Sequence, residues 1–297
     1  MFENILVPLD GSQLAEDVLA PVVTLAARLG SRVTLIHVLE QNAPATIHGE
    51  PHITDSATGA HYLGSVADRI SPMVPEVEVH IHARPVADVA DAVNAHAAEL
   101  HADLIAMCRH GRSGLRQALV GGIAQRILRG GGTAVLLRSQ PEDIAAEYLL
   151  RKILAPLDPD HDATRGLEIS ALLAREFSAS IHLLTAVSSG AQSRSAALPV
   201  SLAPRAEAAE LEMQAEDTES QLTTQAAAMA AAGITVSHEV SRAEPADAIV
   251  AAAAALPADL VVMTTHARAG VEGWYRGSTG ARVISKTPQT LLLLRDL

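Results

Sequence analysis

Two aspartates stand at the same place in a repeated pattern. Ile5-Leu6-Val7-Pro8-Leu9-Asp10 recurs 148 residues later as Ile153-Leu154-Ala155-Pro156-Leu157-Asp158. Each carboxylate closes a short apolar run. There it can accept hydrogen bonds from the hydroxyls of a sugar, or cap the helix that follows. Spacing alone supports both roles equally. A second repeated constellation is glycine-rich. Cys108-Arg109-His110-Gly111-Arg112-Ser113-Gly114 leads to Gly121-Gly122-Ile123, and Thr264-Thr265-His266-Ala267-Arg268-Ala269-Gly270 leads to Gly277-Ser278-Thr279. Glycine lets backbone approach a phosphate closely, and a helix start presents free N–H groups at the positive end of its dipole. The same glycines also serve tight strand–helix packing. Neither stretch is a Walker A loop, and no G-x-G-x-x-G follows the first strand.

The remaining reactive side chains read more plainly. His80 and His82 share one strand face by the two-residue period, but no third ligand lies nearby in sequence, so no metal site is expected. Cys108 reads as a buried strand-end thiol, usually inert. His110 and His266 read as loop-orienting groups. His48, His52 and His61 read as solvated loop residues, and Trp274 and Tyr275 as apolar anchors for the second glycine loop.

The elements that hold these residues repeat as well. Asp103-Leu104-Ile105-Ala106-Met107 recurs as Asp259-Leu260-Val261-Val262-Met263, an offset of 156 that continues through Arg126 and Arg282. The change from 148 to 156 makes the second copy longer in its middle. Domains at 1–140 and 150–297 follow, joined by a short linker near 139–151. Strands are expected at 4–9, 32–39, 77–83, 103–108 and 134–138, then at 152–157, 181–187, 234–240, 259–264 and 290–295. Each is short and apolar, as suits strands buried on both faces of a parallel sheet. Leu14, Val18, Val22, Leu25 and Leu29 mark one helix between the first two strands, and Val86, Val89, Val93, Ala97 and Leu100 mark another. Strands alternating with helices predict an α/β fold of two tandem doubly wound parallel sheets. Segments 41–60 and 188–205, rich in Gly, Pro, Ser and Ala, read as plain loops in preference to lids.

Bulk composition bounds the partners. The 297 residues carry a net charge of −12, against the basic surface that a nucleic-acid polymer needs. Two Phe, one Trp and three Tyr leave few rings for stacking bases. No apolar run reaches the ~18 residues of a membrane span. No signal peptide is read in the opening residues, and the single cysteine fits a reducing compartment, so a cytoplasmic protein without a membrane partner is expected.

The strand-end V-P-L-D-G-S, the second strand ending in H-V, and M-x-x-H-G-R-x-G leading to G-[GS] with nine residues between glycines resemble the universal stress proteins, over essentially the whole chain and twice. The resemblance implies five strands per copy in the order 3-2-1-4-5, and the exposed edges at 134–138 and 290–295 predict a pseudo-dimer in which they pair. It also implies a stress-response regulator that holds an adenine nucleotide with little or no turnover. ATP is favoured over ADP or AMP, with Mg2+ carried on the phosphates. By position, Asp10 and Asp158 would meet ribose, with Pro8, Leu9, Pro156 and Leu157 beside them. Val38 and Val187 would offer backbone groups to adenine. Gly111, Gly121, Gly122 and Ile123 would face phosphate in the first copy, and Ala267, Gly277, Ser278 and Thr279 in the second. Cys108, His110, Arg112, Thr264, His266 and Arg268 would complete the two loops. Both copies depart from the family's G-x2-G-x9-G-[ST]: Cys108 and Gly122 in one, Thr264 and Ala267 in the other. Gly111 favours the first site as the tighter, an order that reverses if Ala267 sits at negative φ. A homodimer and a regulatory protein partner remain open. The alternative is an interaction module with vestigial clefts.

Overall fold

The computed structural model describes residues 1–47, 49–109, 122–139, 148–159, 161, 163–187, 204–265 and 278–295, with side chains of the last group but one from 212 onward. The chain forms two compact units. The first comprises Met1–Leu149, Thr265–Arg276 and Pro288–Leu297, and the second Leu150–Thr264 and Gly277–Thr287.

In the first unit the apolar runs become strands β1 (Asn4–Pro8), β2 (Arg32–Glu40), β5 (Glu76–Val86), β6 (Leu104–Cys108) and β7 (Ala134–Arg138), with a small hairpin of β3 (Thr46–Ile47) and β4 (Glu50–Pro51) between. Their order is β5-β2-β1-β6-β7, parallel throughout. This is 3-2-1-4-5 in order of appearance, as expected. Strands β6 and β7 are buried along their whole length, whereas β5 lies at the edge and is partly or fully exposed throughout. Beyond β7 lies β12 (Thr290–Arg295), antiparallel to it, with Leu292 opposite Leu136. The edge pairing of 134–138 with 290–295 is therefore present. Arg138, buried, donates to the Thr290 hydroxyl at 2.7 Å and lies over the Tyr148 ring. The Ser139 hydroxyl donates to the Pro288 carbonyl at 2.6 Å.

The helices cover the sheet. The first expected helix is in fact two, α1 (Gln13–Glu16) and α2 (Leu19–Leu29). Pro21 explains the break. In a continuous helix its nitrogen would owe a hydrogen bond to the Asp17 carbonyl, whereas in the first turn of α2 no donor is required. Helix α3 (Ser56–Ile70) begins inside the segment read as loop, because Asp55 caps it by accepting from the Thr58 amide at 2.9 Å. Helices α4 (Val89–Glu99) and α5 (Ile123–Gly130) complete the unit.

The second unit repeats the plan with β8 (Lys152–Leu157), β9 (Ser180–Ala186), β10 (Val236–Ser241) and β11 (Leu260–Thr265), in the order β10-β9-β8-β11. Its helices are α6 (Thr164–Phe177), α7 (Pro204–Ala231), α8 (Pro245–Ala255) and α9 (Thr279–Lys286). The extra length of this copy lies in α7, which has 28 residues against 15 in α3. The repeated Asp103 and Asp259 have one structural task. Asp103 accepts from the amides of Glu3 and Asn4, and Asp259 from those of Arg151 and Lys152, tying the fourth strand of each copy to its first.

Candidate functional site

Both aspartates sit where β1 and β8 end, at the carboxyl edge of a parallel sheet next to the point where strand order reverses. Their surroundings differ. In the first copy Asp10 Oδ1 accepts from the Ser12 amide at 2.9 Å and the Ser12 hydroxyl at 2.7 Å. Ser12, and not Asp10, caps the helix, accepting from the Ala15 amide at 3.2 Å. Between them Gly11 takes φ +95°, a conformation that side chains other than glycine's rarely adopt. The segment after β2 closes over this turn. Glu50 accepts from the Gln13 amide at 3.0 Å, and Ile53, 8% exposed, lies against Gly11. A methyl placed on Gly11 would stand 2.7 Å from Ile53 Cδ1. Residues 41–47 and 49–55 thus form a folded strap, where plain loop was expected.

Beneath the strap, His37 is buried and donates through Nδ1 to the Leu9 carbonyl at 2.7 Å. Its Cδ2 and the Ile81 side chain press on Gly59 of α3, each 3.3 Å from where a methyl would lie. Glu16, buried, pairs with Arg69 of α3. Val38 is buried beside β5. Cys108 is buried too, and burial together with Asp17 pushes its thiol well above the ordinary range. The Arg109 amide donates to the Arg138 carbonyl, and burial lowers its guanidinium to about 10.

In the second copy the described residues of the corresponding region line a cavity. A cavity of about 230 Å³ is bounded on one side by Leu157, Asp158 and Pro159 after β8. Ala163, Thr164 and Leu167 at the start of α6 form a second wall. Thr185 of β9 forms the floor, and Thr218, Gln221, Leu222 and Gln225 of α7 face it. Asp158 pairs with His161 at 3.0 Å, both about two-fifths exposed, and caps no helix: Ala163 holds that position without a side-chain bond. Within this lining the Oε1 of Gln225 is buried and, among the described residues, accepts no hydrogen bond. Pro156 precedes the turn at partial exposure, and Val187, buried, has its amide bonded to the Ser241 carbonyl at 2.8 Å. Thr264 brings its methyl against Gly166 of α6.

The glycine loops themselves, with His110, Gly111, Arg112 and Gly121, and His266, Ala267, Arg268 and Gly277, lie outside the described residues, as do Trp274 and Tyr275. The helices that follow them are described. Ser278 caps α9 by accepting from the Ala281 amide at 3.3 Å, whereas Gly122 holds the same position on α5 with no side-chain bond. Ile123 and Thr279 open the two helices. Repeated arginines fix them in place: Arg126 donates to Asp88 at 2.7 Å, and Arg282 to Asp247 at 2.8 Å and Glu244 at 3.2 Å.

His80 and His82 acquire a neighbour that the sequence did not suggest. His96 of α4 lies with its Nε2 2.8 Å from His82 Nδ1 and its ring 4.5 Å from that of His80. Among the described residues no group of three or more His, Cys, Asp or Glu is arranged to hold a metal ion. No described helix is long and apolar enough to cross a membrane.

Reasoning from sequence missed Ile53, Thr185, Thr218 and Gln225. The signal that could have found them is a swap between copies: small or polar residues of one stand where bulky or apolar residues fill the other.

Comparison with known proteins agrees with this architecture. A universal stress protein of Methanocaldococcus jannaschii is 24% identical over 152 residues, 48% of this chain and 85% of its own. A crystal structure of a universal stress protein from Archaeoglobus fulgidus aligns over 98% of this chain and 96% of its own, with a TM-score of 0.70 at 18% identity. A functionally unknown protein of Pseudomonas aeruginosa aligns over 99% and 92%, with a TM-score of 0.68 at 19% identity. The model of the universal stress protein family matches residues 1–137 and again 150–295, so the chain belongs to the universal stress protein family and carries its domain twice.

Proposed function

We propose that this protein is a cytoplasmic stress-response regulator that holds an adenine nucleotide, with ATP the favoured form and Mg2+ carried on its phosphates. Its sequence domains are 1–140 and 150–297. The observation that carries the reading is the cavity at the ends of β8 and β9, with Asp158 at its rim. Its volume, about 230 Å³, is below the ~300–1,000 Å³ common for whole drug-sized ligands, which suits a nucleoside moiety with its phosphates outside. Leu157, Leu167 and Leu222 offer apolar surface to a purine. Thr185, Thr218 and the amides of Gln221 and Gln225 offer donors and acceptors for its edge. The unpartnered Gln225 oxygen suits an exocyclic amine, and Asp158 suits ribose hydroxyls.

Turnover is slow in this reading, since binding and release, rather than chemistry, carry the signal. Titration calorimetry with ATP, ADP and AMP, with and without Mg2+, tests it. Saturable binding of an adenine nucleotide, with steady-state hydrolysis well below ~10 s⁻¹, is expected. No heat with any of the three overturns the binding. A Mg2+-dependent rate near that value makes the protein an enzyme.

A further inference from the structure

The two copies can be registered through their sheets. His37 stands opposite Ile81 between β2 and β5, and Thr185 stands opposite Val240 between β9 and β10. The buried face of α3, with Gly59 and Leu63, matches in phase that of α7, with Thr218 and Leu222. Gly11 and Gly59 of the first copy therefore correspond to Pro159 and Thr218, which both line the cavity. Ile53 reaches both. Its Cδ1 is 2.7 Å from the place a methyl on Gly11 would take, and its Cγ2 is 3.6 Å from that of one on Gly59. His37, in place of Thr185, closes the floor against Gly59.

We propose that the first domain is plugged by its own strap: Ile53 occupies the volume that forms the ligand cavity of the second domain. A full chain then takes one adenine nucleotide, in the second domain, and shortening Ile53 creates a second site. Glycine at 11 fits this role, because a methyl there would collide with Ile53, and glycine at 59 leaves room for Ile53, His37 and Ile81 together. The count of one rests on the nucleotide reading above, whereas the plug does not.

Native mass spectrometry with MgATP tests the count in wild type, Asp158→Ala, Ile53→Ala and the double variant. The expected numbers of nucleotides per chain are one, none, two and one. Two in the wild type, or no gain in Ile53→Ala, overturns the proposal. A second measurement needs no nucleotide. The thiol introduced by Ile53→Cys should react with Ellman's reagent at least tenfold more slowly in the native protein than in denaturant, with buried Cys108 adding only a slow background. Reaction at the denatured rate overturns the plug whatever the counts. If none of the four proteins takes nucleotide, the count falls with the reading it rests on, and thiol protection still decides the plug.

Discussion

The ends of β1 and β8 carry the same Pro-Leu-Asp and reach opposite outcomes. After β1, glycine at 11 and 59 lets an isoleucine from a neighbouring strap fill the space, and His37 and Glu16 crowd in below. After β8, proline follows the aspartate, threonines replace His37, Glu16 and Gly59, and a cavity remains. The aspartate itself does not decide which site is open. What decides it is the size of side chains on three other elements, so a repeated aspartate is a poor guide to a repeated cavity.

The largest effect expected from breaking this contrast is on affinity. Asp158→Ala should weaken nucleotide binding by about 10–100-fold, since hydrogen bonds to a charged group are worth ~1.5–3 kcal/mol. Asp10→Ala should change it less than twofold, because its turn is closed. Calorimetric titration of both variants reads the difference directly, and equal losses would mean that both copies bind.

Next comes packing. Gly59→Thr gives the first copy the threonine of the second, and the added atoms collide with His37 and Ile81. A loss of about 1–3 kcal/mol is expected for overpacking of this kind. The reciprocal Thr218→Gly should cost only ~1 kcal/mol, as glycine does in a helix interior. Hydrogen exchange resolved to α3 and α7 separates the two, and a tolerated Gly59→Thr would show that the first copy is as roomy as the second.

A smaller effect follows acid. Burial, and then the neighbouring His80 and His82, lower the His96 pKa, while Glu99 opposes them. Burial likewise lowers His182 in the second unit, with Glu239 and the His182–Ser237 bond beside it. A histidine whose pKa is depressed on folding gives its full stability above the unfolded value of about 6.5 and loses it as pH falls, since the unfolded chain takes the proton first. Thermal melts should therefore fall between pH 7 and 5. His96→Gln should flatten the decline in the first unit, and an unchanged slope would assign it to other groups.

The fold was legible because each strand is a short apolar run and the repeat doubled the signal. The Arg–carboxylate pairs that seat α5 and α9 were visible only as matched arginines, since their partners lie over 30 residues away. Ile53 was hidden for a related reason. An isoleucine in a polar, proline-containing stretch reads as loop, and only the positive φ at Gly11 and the bare Gly59 make a seat for it. Thr218 and Gln225 were hidden in α7, whose polar and apolar residues are spread around the helix, so that only its contact with β9 and β10 reveals which face matters.

The smallest expected effect concerns the helix that follows the first glycine loop. Gly122→Ser supplies the cap that Ser278 provides on α9, and its Cβ would meet nothing within 4 Å. A gain of a few tenths of a kcal/mol is expected. A melting temperature unchanged or lowered would show that Gly122 serves something other than the helix.

The pairing of β12 with β7 also orders events in time. Arg138 and its partner Thr290 are separated by 152 residues. At ~5–20 residues per second the ribosome needs on the order of ten seconds to make that stretch. Throughout it, a newly made β7 waits as an open edge that is apolar from Ala134 to Leu137, the kind of edge that recruits other chains. A nascent polypeptide stalled between the two repeats should therefore be a client for chaperones, and the long wait makes the final strand a closing latch rather than a late ornament.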